Sequence, residues 1–124
     1  MSPEEIAEAE RLAKVWHNGD NSAWPSLKAM IKAQILEKTR ILYEDLSPGD
    51  QKRVFGIIMQ IFEKSVATIQ CDLEYREGFD GYCAYAIRRV LVELFRWIQI
   101  QPEHDSLRHR LKTTKFFTQS YDLH

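Results

Sequence analysis

Apolar positions recur at three- and four-residue spacing through most of the chain, and no segment keeps the two-residue rhythm of a strand. The first such stretch opens on Ser2-Pro3-Glu4-Glu5. This supplies a capping hydroxyl, a proline at the first helical position and an acid able to reach back to the cap. Ile6, Ala9, Leu12, Ala13 and Trp16 then share one face until Asn18-Gly19 closes the segment, which predicts a helix over about residues 3–18. Asp20-Asn21-Ser22 offers further caps, and Pro25 fits only a first turn. A second helix is expected from about 24 to 46, with Leu27, Ile31, Ile35, Leu42 and Leu46 inward and Met30 and Ile41 at its edge. Leu36 and Tyr43 fall off that stripe.

Ser47-Pro48-Gly49-Asp50 repeats the first start signal and places a third helix at about 48–76. Phe55, Ile58, Phe62, Val66, Ile69 and Leu73 line one side of it, and Val54, Ile57, Ile61 and Tyr75 widen the apolar arc. An arc of roughly 200° exceeds what one packing face needs. The third helix is therefore expected at the centre of the fold, or as half of a dimer seam. Glu77-Gly78 should end it, with Asp80 as cap and Phe79 as staple for a fourth helix over 80–101. The inner stripe of that helix is Cys83, Ile87, Val90, Leu91, Leu94 and Ile98, and Gln101-Pro102 stops it. A short basic helix near 103–113 and a tail with Phe116 and Phe117 follow. Short connections between such helices favour antiparallel neighbours. The expectation is an all-α, single-domain, up-and-down four-helix bundle with a short C-terminal helix or capping tail.

Composition agrees with this. The chain has 124 residues, 44% hydrophobic and 28% charged, enough for one domain with its own core and unlike a disordered composition. Seventeen basic residues against eighteen acids give a net charge of −1, so no global field draws it to nucleic acid or membrane. The apolar runs 54–62 and 90–98 fall short of the ~20 residues that span a bilayer, and the acidic N-terminal stretch lacks the pattern of a secretory leader. Cys71 and Cys83 are too few and too far apart for a disulfide scaffold or a zinc knuckle. Both fall within apolar helical patterns, so two buried free thiols in a reducing, cytoplasmic setting are expected.

Catalytic constellations do not assemble in the sequence. Glu4-Glu5-Ile6-Ala7-Glu8 resembles the acidic opening of the all-helical nucleotide pyrophosphohydrolases. Their second carboxylate pair is replaced here by Glu37-Lys38-Thr39-Arg40, and acids near a helix start also complement its dipole. His109-Arg110-Leu111-Lys112-Thr113 resembles the His-x-x-Lys-Gly of histidine phosphotransfer domains, but it lies in the last sixteen residues and has Thr113 in the glycine's place. His17, His104, His109 and His124 never fall four residues apart, and no Glu-x-x-His pairs recur. The five glycines form no phosphate loop. Neither catalysis, a cofactor nor a metal is expected.

Two surfaces remain. Opposite the inner stripe of the fourth helix, Tyr82, Tyr85, Arg89, Val92 and Arg96 are linked by three- and four-residue steps. Tyrosine and arginine dominate binding hot spots, which makes this stripe the expected protein-binding or self-association face unless the tail covers it. The second feature is charge segregation, with four acids and no base among the first ten residues. Residues 106–115 carry Arg108, His109, Arg110, Lys112 and Lys115 and no acid. The sequence thus points to a non-catalytic interaction module, an adaptor or small subunit, with a homodimer plausible. The alternative is a nucleic-acid-binding subunit using Arg89, Arg96, Arg108, Arg110, Lys112 and Lys115.

Overall fold

A computed structural model describes residues 1–99, with side chains as far as residue 97. The expected helix at 103–113 and the tail beyond it lie outside the described residues. The described residues form a helical bundle of four α-helices: α1 (Pro3–His17), α2 (Trp24–Thr39), α3 (Pro48–Leu73) and α4 (Gly78–Gln99). Single turns of 3₁₀-helix at Asn21–Ala23 and Arg40–Leu42 flank α2. The described residues contain no strand.

Start signals act where the sequence places them. Ser2 Oγ accepts from Glu5 N at 3.1 Å, and Glu5 Oε1 accepts from Ser2 N at 3.2 Å, closing a reciprocal cap on α1. That hydrogen bonding holds the Glu5 carboxyl below the usual range. Ser47 Oγ accepts from Asp50 N at 3.3 Å at the head of α3. Asp20 Oδ1 takes the Ser22 N–H at 3.0 Å and sets the turn into α2, while Gly19 carries the positive φ of 108° that closes α1.

Helix α2 ends seven residues before its expected limit. Thr39 is fully buried, and its hydroxyl donates to Ile35 O at 2.6 Å, competing with the helical ladder at that turn. The chain tightens into the 3₁₀ turn Arg40–Leu42, which swings Tyr43 into the core and leaves Ile41 46% exposed. Tyr43, placed off the core stripe by its spacing, is therefore a core residue. Gln51 Nε2 then secures the following loop by donating to Glu44 O and Leu46 O at 3.0 and 2.7 Å.

The central helix is α4, not α3. It packs against α1, α2 and α3, whereas α3 meets α2 and α4 but not α1. Its buried residues are Phe79, Tyr82, Cys83, Ala86, Ile87, Val90, Leu91 and Leu94, an arc wide enough for three neighbours. On α3 the buried stripe is narrower: Val54, Ile58, Phe62, Ile69 and Leu73. Phe55 and Ile6, both expected inward, are 42% and 48% exposed, and Cys71 faces solvent rather than the core.

As one continuous helix of 26 residues around the apolar run 54–62, α3 is long and apolar enough by length and composition to cross a membrane. In the bundle its exposed Glu63 instead takes ion pairs from α2, with Lys28 Nζ at 3.3 Å and Lys32 Nζ at 3.1 Å. The start of α4 is held from outside. Glu10 Oε2 on α1 accepts from Phe79 N at 3.4 Å, and Gly78 adopts φ +76° beside that carboxylate. Asp80, expected as the cap, lies within the first turn.

Candidate interaction surface

The stripe Tyr82, Tyr85, Arg89, Val92 and Arg96 is not one open face. Tyr82 belongs to the core: it has no exposed surface, its ring meets Trp16 edge-on at 5.6 Å, and its hydroxyl lies 3.3 Å from His17 Nδ1. Burial pushes the Tyr82 phenol above its ordinary range. Trp16 also packs on Trp24, with ring centres 5.2 Å apart, so Tyr82 closes an aromatic cluster joining α1, α2 and α4. Tyr82 and Cys83 are consecutive, a 100° step apart, and the core arc of a helix with three neighbours reaches both.

The other members flank the buried arc of α4, and Tyr85 reaches α3. Tyr85 is half-buried and donates its hydroxyl to Asp72 Oδ2 on α3. Burial first, and that hydrogen bond second, raise its phenol's pKa. The Arg76 guanidinium lies 4.9 Å above the Tyr85 ring centre, within cation–π range. Arg89 is half-buried, and its Nε is inaccessible without a hydrogen-bond partner among the described residues. Val92 is half-buried. Arg96 is exposed, and its Nη1 pairs with Glu93 Oε1 at 3.0 Å, one turn earlier on the same helix.

A surface notch of about 450 Å³ opens at this edge, lined by Tyr75, Arg76, Glu77, Gly81, Ala84, Tyr85 and Arg88. Tyr75, expected on the apolar arc of a third helix reaching residue 76, is instead outside α3 and exposed, and two further polar groups, Arg76 and Arg88, escape spacing arguments. Because α3 ends at Leu73, Tyr75 and Arg76 belong to the connection to α4 and project from the bundle, with Tyr75 81% exposed. Arg88 lies 100° from Arg89 on the helix and is exposed, with no ion pair among the described residues. The legible signal was compositional: Tyr75-Arg76-Glu77-Gly78 is a polar, aromatic break between two apolar periods. The notch presents two guanidinium groups and two phenol rings around one carboxylate. Such a set can grip an acidic or planar group.

Of the two thiols, Cys83 adds little reactivity. Burial, aided by the Asp80 and Glu10 charges, pushes the Cys83 thiol up to about 12, so it is a poor nucleophile at neutral pH. Cys71 is exposed on α3. Among the described residues, no three His, Cys, Asp or Glu side chains converge as a metal site. Of the six cations expected to form a nucleic-acid patch, Arg89 and Arg96 lie on α4, while Arg108, Arg110, Lys112 and Lys115 fall outside the described residues. Searches against family models, curated proteins and solved structures found no match.

Proposed function

We propose that this chain is a non-catalytic interaction module that docks a protein partner on the notch formed by Tyr75, Arg76, Tyr85 and Arg88. The carrying observation is the Arg76–Tyr85–Asp72 stack. The Asp72 carboxylate anchors the phenol and the phenol's ring seats the guanidinium, so a pre-positioned cation faces solvent at little ordering cost. Arg88 adds a second cation from α4, and Tyr75 adds apolar area. Binding energy concentrates in such rigid aromatic and arginine groups. The partner surface that complements them is a carboxylate beside an apolar or aromatic side chain.

The test compares wild type with Arg76→Glu/Arg88→Glu as bait in an extract of the source cells. Both changes lie on exposed positions, so the helical circular dichroism should be preserved. A partner retained by wild type and released by the double variant supports the reading, and undiminished retention refutes it. A nucleic-acid role, using Arg89 and Arg96 of α4 with Arg108, Arg110, Lys112 and Lys115, is the second reading. Gel shifts at two salt concentrations separate the two, because phosphate binding weakens steeply with salt.

A further inference from the structure

A second concavity, of about 450 Å³, lies where α1, α2 and α4 meet, on residues the proposed docking notch does not use except for Ala84. Its apolar surface comes from Met1, Ile6, Phe79, Cys83, Ala84 and Ile87. Ile6 and Met1 are 48% and 44% exposed beside it, although the spacing of α1 turns Ile6 inward. Glu37 and Asp80 stand at the polar margin with Lys38, and Glu10 reaches the Phe79 backbone there. Acids outnumber bases at this groove. The notch between α3 and α4 carries the opposite balance, with Arg76 and Arg88 against Glu77.

The chain itself contains a segment of matching chemistry. Residues 107–117 combine Leu107 and Leu111 with Arg108, Arg110, Lys112 and Lys115 and end on Phe116-Phe117, with no acid among them. Reach is sufficient. Ile87, in the groove, precedes Gln99 by twelve residues, about 18 Å along a helix axis. The seven residues 100–106 can extend over about 23–25 Å. We propose that residues 107–117 dock in cis on the α1–α2–α4 groove, their phenylalanines against the exposed Met1 and Ile6 and their cations against Glu37, Asp80 and Glu10. The arginine-lined notch repels the same segment, so the docking surface between α3 and α4 stays open when the groove is filled.

The test uses the full chain with Cys71→Ser and a nitroxide spin label on Gln119→Cys, the buried Cys83 being inert to the reagent. Amide signals of Ile6, Gln34, Lys38 and Ala84 should lose most of their intensity, and reducing the nitroxide should restore them. Glu37→Lys with Asp80→Lys should abolish the loss, as should raised salt. Three outcomes overturn the proposal. One is no loss at any of these amides. Another is loss centred on Tyr75, Arg76 and Arg88, which would also show the docking notch to be covered. The third is loss in an isotope-labelled, spin-free chain mixed with spin-labelled, isotope-free chains, which would place the segment on a second copy. A bait experiment that fails while these signals behave as expected refutes the docking notch alone.

Discussion

Replacing Tyr82 tests the placement of α4 most directly, because the amphipathic period alone turns this residue toward solvent. In the fold it has no exposed surface, touches Trp16 edge-on and comes within 3.3 Å of His17. Truncating a buried aromatic side chain to alanine costs about 3–5 kcal/mol, since the transfer energy and the cavity both count. Against a total stability of about 5–15 kcal/mol, Tyr82→Ala should remove about a fifth or more and lower Tm by roughly 10–20 °C. Tyr82→Phe keeps the ring and deletes only the hydroxyl, so it should cost about 0.5–1.5 kcal/mol. Arg96→Ala, on the same supposed stripe, removes one exposed pair with Glu93 and should stay within about 0.5 kcal/mol of wild type. Urea denaturation followed by circular dichroism measures all three, with an unchanged m-value confirming that the native and denatured states remain comparable. A Tyr82→Ala cost below about 1 kcal/mol would put the ring on the surface and turn α4 by most of a quarter-rotation. The aromatic cluster and the notch beside Tyr85 would fall with it.

Three further expectations follow from other contacts. In a thiol titration of the native protein, one cysteine should react promptly and the second only in denaturant. At pH 8 a thiol with a pKa of about 12 is roughly one part in ten thousand thiolate, while Cys71 is exposed. Two fast thiols would show that Cys83 is accessible. Glu10→Ala strips the carboxylate from the Phe79 N–H at the start of α4 and should destabilise by about 0.5–2 kcal/mol, the usual range for a lost N-terminal cap; an unchanged urea midpoint argues against that contact. Hydrogen bonds from Lys32 and Lys28 hold the Glu63 carboxyl below its ordinary range, so its contribution is present above the unfolded-state pKa and lost as pH falls through the folded one. Stability of Glu63→Gln should accordingly depend less on pH on the acid side than that of wild type, and high salt should shrink the difference. Parallel pH profiles for the two proteins would remove the α2–α3 ion pairs from the account.

Helix existence was legible because capping chemistry is local: Ser2 with Glu5, and Ser47 with Pro48, act through atoms within one turn. What escaped depended on partners distant in sequence. The break of α2 at Thr39 turns on a buried hydroxyl choosing its own helix's carbonyl, and no glycine or proline announces it. The inward turn of Tyr82 required knowing that α4 has three neighbours. A hydrophobic period locates the middle of a buried arc but sets its width only when the number of packing partners is known. The same limit explains α3, whose wide apolar pattern suggested the centre of the fold although only a narrow stripe is covered. Tyr85 and Arg89 were read as an open face opposite the core, whereas both are half-buried, and the cations that complete the notch beside Tyr85, Arg76 and Arg88, come from a connection and from the adjoining helical row.

Because the helix that touches all the others is the last of the four, the order of synthesis constrains assembly. As the polypeptide leaves the ribosome, α1 and α2 can join early through Trp16 and Trp24, but α3 has no contact with α1 and finds most of its packing on a partner still unmade. Until α4 emerges, a long greasy rod stays without cover on the nascent chain. Chaperone recruitment and aggregation should therefore peak in the interval after Leu73 is translated and before Leu94 is available to close the structure.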